Sequence, residues 1–172
     1  MEYFWLRMDT RMKNGVRFET LTSEELLGGQ PIVRQIMPWK GIEATIYPDY
    51  LTTRTIRGQY HLISDSLKAL FSIYLPEVEE WMPFILVDQE KISHLYWFLI
   101  PKKVEDGISE QTTYHHDRTI NHLVLKEELL DSSIFYVETE LQRLIILKLD
   151  AAESVLRRGF CGIHLQKVGI EK

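Results

Sequence analysis

The stretch His61-Leu62-Ile63-Ser64-Asp65-Ser66-Leu67-Lys68-Ala69-Leu70-Phe71, HLISDSLKALF, changes its periodicity part-way along. His61-Leu62-Ile63 is strand-like. From Leu67 onward the apolar residues Leu67, Leu70, Phe71 and Tyr74 recur at i, i+3, i+4 and i+7, which is one face of a helix. Between the two patterns Ser64 has the short oxygen-bearing side chain of a good N-cap, and Asp65 sets negative charge at the positive end of the helix dipole. Pro76 is expected to end the helix, and Trp81-Met82-Pro83-Phe84-Ile85-Leu86-Val87 returns as a strand. The chain is therefore predicted to carry a strand–helix–strand unit.

A second unit of the same kind lies further on. Leu144 to Leu149 (LIILKL) is a strand, and Asp150 is read as the cap of the next helix, with Glu153 at capping-box spacing. Ala151, Val155 and Leu156 supply its inner side, Arg157-Arg158 suit its negative end, and Gly159 stands where a helix commonly stops. Ile163-His164-Leu165 closes the unit as a strand. Ser64 to Trp81 and Lys148 to Leu165 both span 17 positions, an offset of 84. At that offset Leu62 falls on Ile146, Ile63 on Leu147, Phe71 on Val155, Trp81 on Leu165 and Phe84 on Val168. The caps disagree, because Ser64 falls on Lys148, two residues before Asp150. A short strand–helix–strand is a common module, so chance supplies such a match as readily as duplication does.

Outside these units, Glu2 to Met8 suits a strand, and Thr22 with Glu25 forms a capping box opening a short helix stopped by Gly28-Gly29. Gln30 to Val33 is extended, and Pro48-Asp49-Tyr50-Leu51 reads as a turn before a threonine-rich connection. His94 to Ile100 (HLYWFLI) is an interior strand, Val104 to Asn121 a long polar connection, and Leu123–Leu125 and Ile134–Val137 are short strands. The fold class expected is α+β, with mixed or antiparallel sheets, a few short helices and two related strand–helix–strand halves over 61–87 and 145–168. All 172 residues fit a single domain.

Composition narrows the function. The chain is 45% hydrophobic and 26% charged, with no apolar run near the roughly 20 residues of a membrane helix. The start, MEYFWLRMDTRMK, lacks a basic stretch followed by a long apolar run, so a secretory signal is not expected. A lone Cys161 excludes an internal disulfide framework and reads as a small buried thiol. A cytoplasmic protein without cofactor is the expectation. The net charge is −5, which disfavours nucleic-acid binding. Between Glu77 and Glu110, eight carboxylates (Glu77, Glu79, Glu80, Asp88, Glu90, Glu105, Asp106 and Glu110) face Lys91, Lys102 and Lys103, so this window alone equals the net charge. It is either a solvated face or a surface complementary to a basic partner. Trp39, beside Pro38, is the tryptophan placed in a loop where it can meet a partner.

One cluster invites a chemical reading. Tyr114-His115-His116-Asp117-Arg118-Thr119-Ile120-Asn121-His122 holds three of the chain's six histidines. His116 and His122, six apart, share one side of a strand, and Asp117 completes a two-histidine, one-carboxylate arrangement. His115 points the other way on a strand. The alternative is a polar loop leading into Leu123. His61, His94 and His164 read as hydrogen-bonded strand residues.

The segments ELLGGQPI, YPDYL, HLISDSLKALF, EEWMPFIL, HLYWFLIPKKVED, NHLVLKEELLDSSIFYVE and LRRGFCGIHLQKV follow one another from Glu25 onward. In this order the chain resembles a family of immunity proteins from bacterial polymorphic-toxin systems. It departs from that family at GISEQTTYHHD, so the histidines carry no family role. The resemblance implies a non-enzymatic protein that binds and neutralises a cognate toxin domain by occluding it. The acidic window, with Trp39, would be the contact surface. The rival from another class is a small metal-dependent hydrolase using His115, His116, Asp117 and His122.

Overall fold

The computed structural model describes residues 1–12, 16–19, 21–22, 24–25, 28–37, 46–55, 58–78 and 80–171. The fold is α+β. In it HLISDSLKALF passes from strand β4 (Gly58–Ser64) straight into helix α1 (Asp65–Phe71). The Ser64 hydroxyl accepts from the Leu67 N–H at 3.2 Å, while Leu67, Leu70 and Phe71 are buried. The helix ends at Phe71 rather than running to Pro76, and residues 72–74 continue it only as turns.

Around this unit lies a five-stranded sheet. Its order is β2 (Ile32–Gln35), β5 (Pro83–Val87), β6 (Ser93–Phe98), β4 and β3 (Tyr50–Thr55). Strand β6 is the interior strand that HLYWFLI predicts. The stretch expected to be a turn and a threonine-rich connection is instead β3, with Tyr50 and Leu51 buried. Threonine is β-branched, and its pairing with β4 outweighs the turn signal of Pro48-Asp49.

A four-stranded sheet runs β10 (Ile134–Glu138), β11 (Arg143–Lys148), β1 (Tyr3–Met8) and β12 (Ile163–Lys167). Helix α2 (Leu149–Arg158) follows β11 directly and stops at Gly159, whose φ of 63° is left-handed. Its N-cap is Lys148, with no side-chain cap bond, so Asp150 sits inside the first turn and Glu153 pairs with Arg157 instead of forming a capping box. Ala151, Ala152 and Val155 are buried, whereas Leu156, expected on the inner side, is 66% exposed. The short strands β9 (Val124–Lys126) and β13 (Gly169–Glu171) pair in parallel, as do β2 and β5. The remaining ladders among the described residues are antiparallel, so the five-stranded sheet is mixed and the four-stranded sheet is antiparallel.

The two halves share one register. Tyr50 pairs with Ile63 and Leu51 with Leu62, while Ile134 pairs with Leu147 and Phe135 with Ile146, each 84 positions further on. The N-caps Ser64 and Lys148 stand at the same offset, so the disagreement expected between the caps vanishes once the true start of α2 is known. In each half the strands flanking the helix are separated by one antiparallel strand. Ser64, Ile63 and Leu62 face Tyr96, Trp97 and Phe98 of β6, and Lys148, Leu147 and Ile146 face Tyr3, Phe4 and Trp5 of β1. The same aromatic triplet position is thus filled from after β5 in one half and from the start of the chain in the other.

The halves meet through a shared core. Leu67, Leu70 and Phe71 of α1 belong to one buried cluster with Ala151, Ala152 and Val155 of α2, and the Tyr74 hydroxyl lies 2.7 Å from that of Ser154. His61 adds a polar tie. Its Nε2 is 3.0 Å from the Arg143 carbonyl and its Nδ1 2.6 Å from the Tyr50 hydroxyl. A carbonyl only accepts, so Nε2 carries the proton and the tyrosine donates to Nδ1. Burial drives the His61 pKa down to about 3, which keeps the ring neutral.

Candidate functional site

The polar segment 104–121 is ordered by two attachments. Lys102 to Val104 runs beside β10: the Val104 N–H donates to the Tyr136 carbonyl at 2.9 Å and the Tyr136 N–H to that of Lys102 at 3.0 Å. This covers the edge of β10. Further on, the Ser109 N–H donates to the Val124 carbonyl and the Lys126 N–H to that of Gly107, while the Thr112 hydroxyl bonds both backbone groups of Val124 at 3.0 Å. Ser109 and Thr112 are buried polar residues with these partners.

The histidine cluster is the turn of a small hairpin, β7 (Thr113–Tyr114) with β8 (Ile120–His122). The His115 N–H donates to the Thr119 carbonyl at 2.8 Å, and Arg118 takes the left-handed φ of 63° that closes so tight a turn. Asp117 accepts from the Thr119 N–H at 3.0 Å and hydroxyl at 2.6 Å, and these bonds hold its carboxyl below the usual range. His115, His116 and His122 are exposed. Among the described residues no three His, Cys, Asp or Glu side chains are grouped so as to hold a metal. The strand geometry that put His116 and His122 on one side does not arise, because only His122 is in a strand.

What the hairpin does border is a groove of about 710 Å³ between 103–118 and the β10–β11 turn. Val104, Ile108 and Val137 give it an apolar floor, and Gly107 lies so close that a Cβ there would stand 2.8 Å from Val104 Cγ1 and 3.1 Å from Val137 Cγ1. Tyr114 and Leu141 are half-exposed on its border. Five carboxylates line it, those of Glu105, Asp106, Glu110, Glu138 and Glu140, against the cations Lys103 and Arg118, a net of three negative charges. Lys103 is held by Glu105 at 3.0 Å and Glu138 at 3.2 Å, hydrogen bonds that raise its pKa. Arg118 reaches Glu140 at 2.9 Å, with both side chains about three-quarters exposed.

The expected contact residues are scattered by the fold. Glu105 and Asp106 line the groove, together with Glu110 of the same window. Glu77 and Glu80 are exposed in the connection that leads to Pro83, whereas Asp88 and Glu90 sit beyond Val87. The five residues of β5, about 16 Å of strand, separate the two pairs. Asp88 is half-buried, and the burial that would raise its pKa is outweighed by hydrogen bonds from the Ile92 N–H, His94 and the Glu90 N–H, so it orders the β5–β6 turn. Glu79 and Trp39 lie outside the described residues. Cys161, expected to be a buried thiol, is exposed. Sequence reasoning missed Glu138, Glu140 and Leu141. Only the turn-like spacing of Thr139 and Gln142 hints at their loop, and nothing local joins that loop to residue 103. No protein-family model matches the chain, and no curated protein matches it.

Proposed function

We propose that the chain is an immunity protein of a bacterial polymorphic-toxin system, which binds a cognate toxin domain in the cytoplasm and occludes its active surface. The observation that carries this reading is the groove, an apolar floor inside a border with three carboxylates in excess of cations. A surface of that kind complements a basic protein face, and complementary charge speeds encounter and rejects wrong partners. The order of motifs from ELLGGQPI to LRRGFCGIHLQKV supports the same reading from the sequence. The protein acts by binding and not by catalysis, and uses no cofactor. If the toxin is a nuclease, the carboxylates stand in for the phosphates of its substrate.

The test is co-expression with a candidate toxin domain taken from the neighbourhood of the chain's own gene. Growth of a bacterial host should be restored, and the two proteins should co-elute as a stoichiometric complex. A host that still dies while the proteins elute separately overturns the proposal.

A further inference from the structure

Resting on the binding role just proposed, we infer that the groove at 103–110 and 137–141 receives a lysine- or arginine-bearing, partly apolar segment of the partner, and that Arg118 is the chain's own cation occupying the place meanwhile. Three features of the groove suit such a segment. Its volume of about 710 Å³ is that of a binding cleft for a few side chains. Its floor is apolar, and Leu141 and Tyr114, 47% and 49% exposed, offer contact area on its border. Its charge calls for a cation: Asp106 and Glu110 are exposed and have no ion-pair partner among the described residues.

The two cations already present differ in how they are held. Lys103 is half-buried between two carboxylates and belongs to the wall. Arg118 comes from the tip of the histidine hairpin and meets Glu140 from a separate turn, with side-chain exposures of 76% and 78%. A single exposed pair of this kind is weak and screened by salt. An incoming guanidinium or ammonium whose segment also covers Ile108, Leu141 and Tyr114 can take Glu140 from Arg118, which swings out with the hairpin tip. The glycine at 107 keeps the floor close to Val104 and Val137, so the cleft is backed by packed side chains.

The test titrates the isotope-labelled full chain with acetyl-Gly-Leu-Arg-Leu-Arg-Gly-amide and, separately, with the same peptide carrying glutamate for arginine. Saturable amide shifts are expected at 104–110 and 139–141 with the basic peptide only. A Glu105→Lys, Asp106→Asn, Glu110→Lys variant should bind about tenfold more weakly, since all three sites are exposed rim charges. Asparagine is chosen at 106 because Asp106 has a φ of 52°, which it tolerates. Arg118→Ala should bind the peptide about threefold more tightly by freeing Glu140. Shifts confined to another surface, or equal shifts with the acidic peptide, overturn the inference, and weaker binding by Arg118→Ala overturns the displacement. If the triple variant still binds the toxin domain as the parent does, the groove fails while the immunity reading stands. If the peptide binds but the toxin does not, the immunity reading fails while the groove stands.

Discussion

At the scale of single residues, the decisive positions are a buried histidine and a glycine. His61 is 2% exposed, neutral, and shared between the Tyr50 hydroxyl and the Arg143 carbonyl of the other half. Its pKa falls from 6.5 to about 3 on folding because burial disfavours the charged ring. The unfolded chain therefore binds the extra proton between these values, and stability falls as pH drops below about 6.5. The slope from this group is about 1.4 kcal/mol per pH unit. Denaturant titrations from pH 7 to pH 4.5 should show a steeper loss for the parent than for His61→Gln, and parallel curves would mean the ring is not held neutral. Gly162 has a φ of 78°, and a Cβ there would lie 2.3 Å from Pro48 Cβ. Gly162→Ala combines strained backbone with overpacking and should cost at least about 2 kcal/mol, read as a lowered denaturation midpoint.

At the scale of elements, the two helix starts make a controlled pair. Ser64 caps α1 and also donates to Asp49 Oδ1 at 2.6 Å, while Asp49 Oδ2 accepts from the Cys161 N–H at 2.7 Å. Ser64→Ala removes both the cap and this link and should cost about 1–2 kcal/mol. Lys148 holds the corresponding place before α2 with extended backbone (φ −71°, ψ 160°) and no side-chain cap. The Ala151 N–H that a cap at 148 would hold already donates to Asp150 Oδ1 at 2.9 Å, so Lys148→Ser alone should shift stability by less than about 0.5 kcal/mol, read from the melting temperature. A gain of about 1 kcal/mol or more would show that Asp150 does not satisfy that donor. The Thr22–Glu25 capping box, by contrast, forms as the spacing predicts, with the Thr22 N–H donating to Glu25 at 2.8 Å. Hydrogen bonds from Arg34 and from Thr22 hold that carboxyl down at about 2.

At the scale of the whole molecule, the shared cluster of α1 and α2 should make the two halves one cooperative unit. Phe71 is fully buried in it, so Phe71→Ala is expected to cost about 3–5 kcal/mol. Far-UV and near-UV signals should still fall together in one transition, and two separated transitions would show that the halves fold independently. The sequence by itself determined the fold class, most of the strands and α1, because period-2 and period-3.6 patterns and an N-cap are local and survive any tertiary arrangement. It also held the 84-residue offset at which the two hairpin registers repeat in the structure, although the cap of α2 obscured it. Only the tertiary structure decided which strand enters each half, since β1 reaches β11 and β12 across most of the chain and hydrogen bonds of that kind leave no local trace. The same holds for the groove. Its walls come from 103–118 and 137–141, joined where Lys103 bridges to Tyr136, and an acidic window read along the chain cannot show which carboxylates face one cleft.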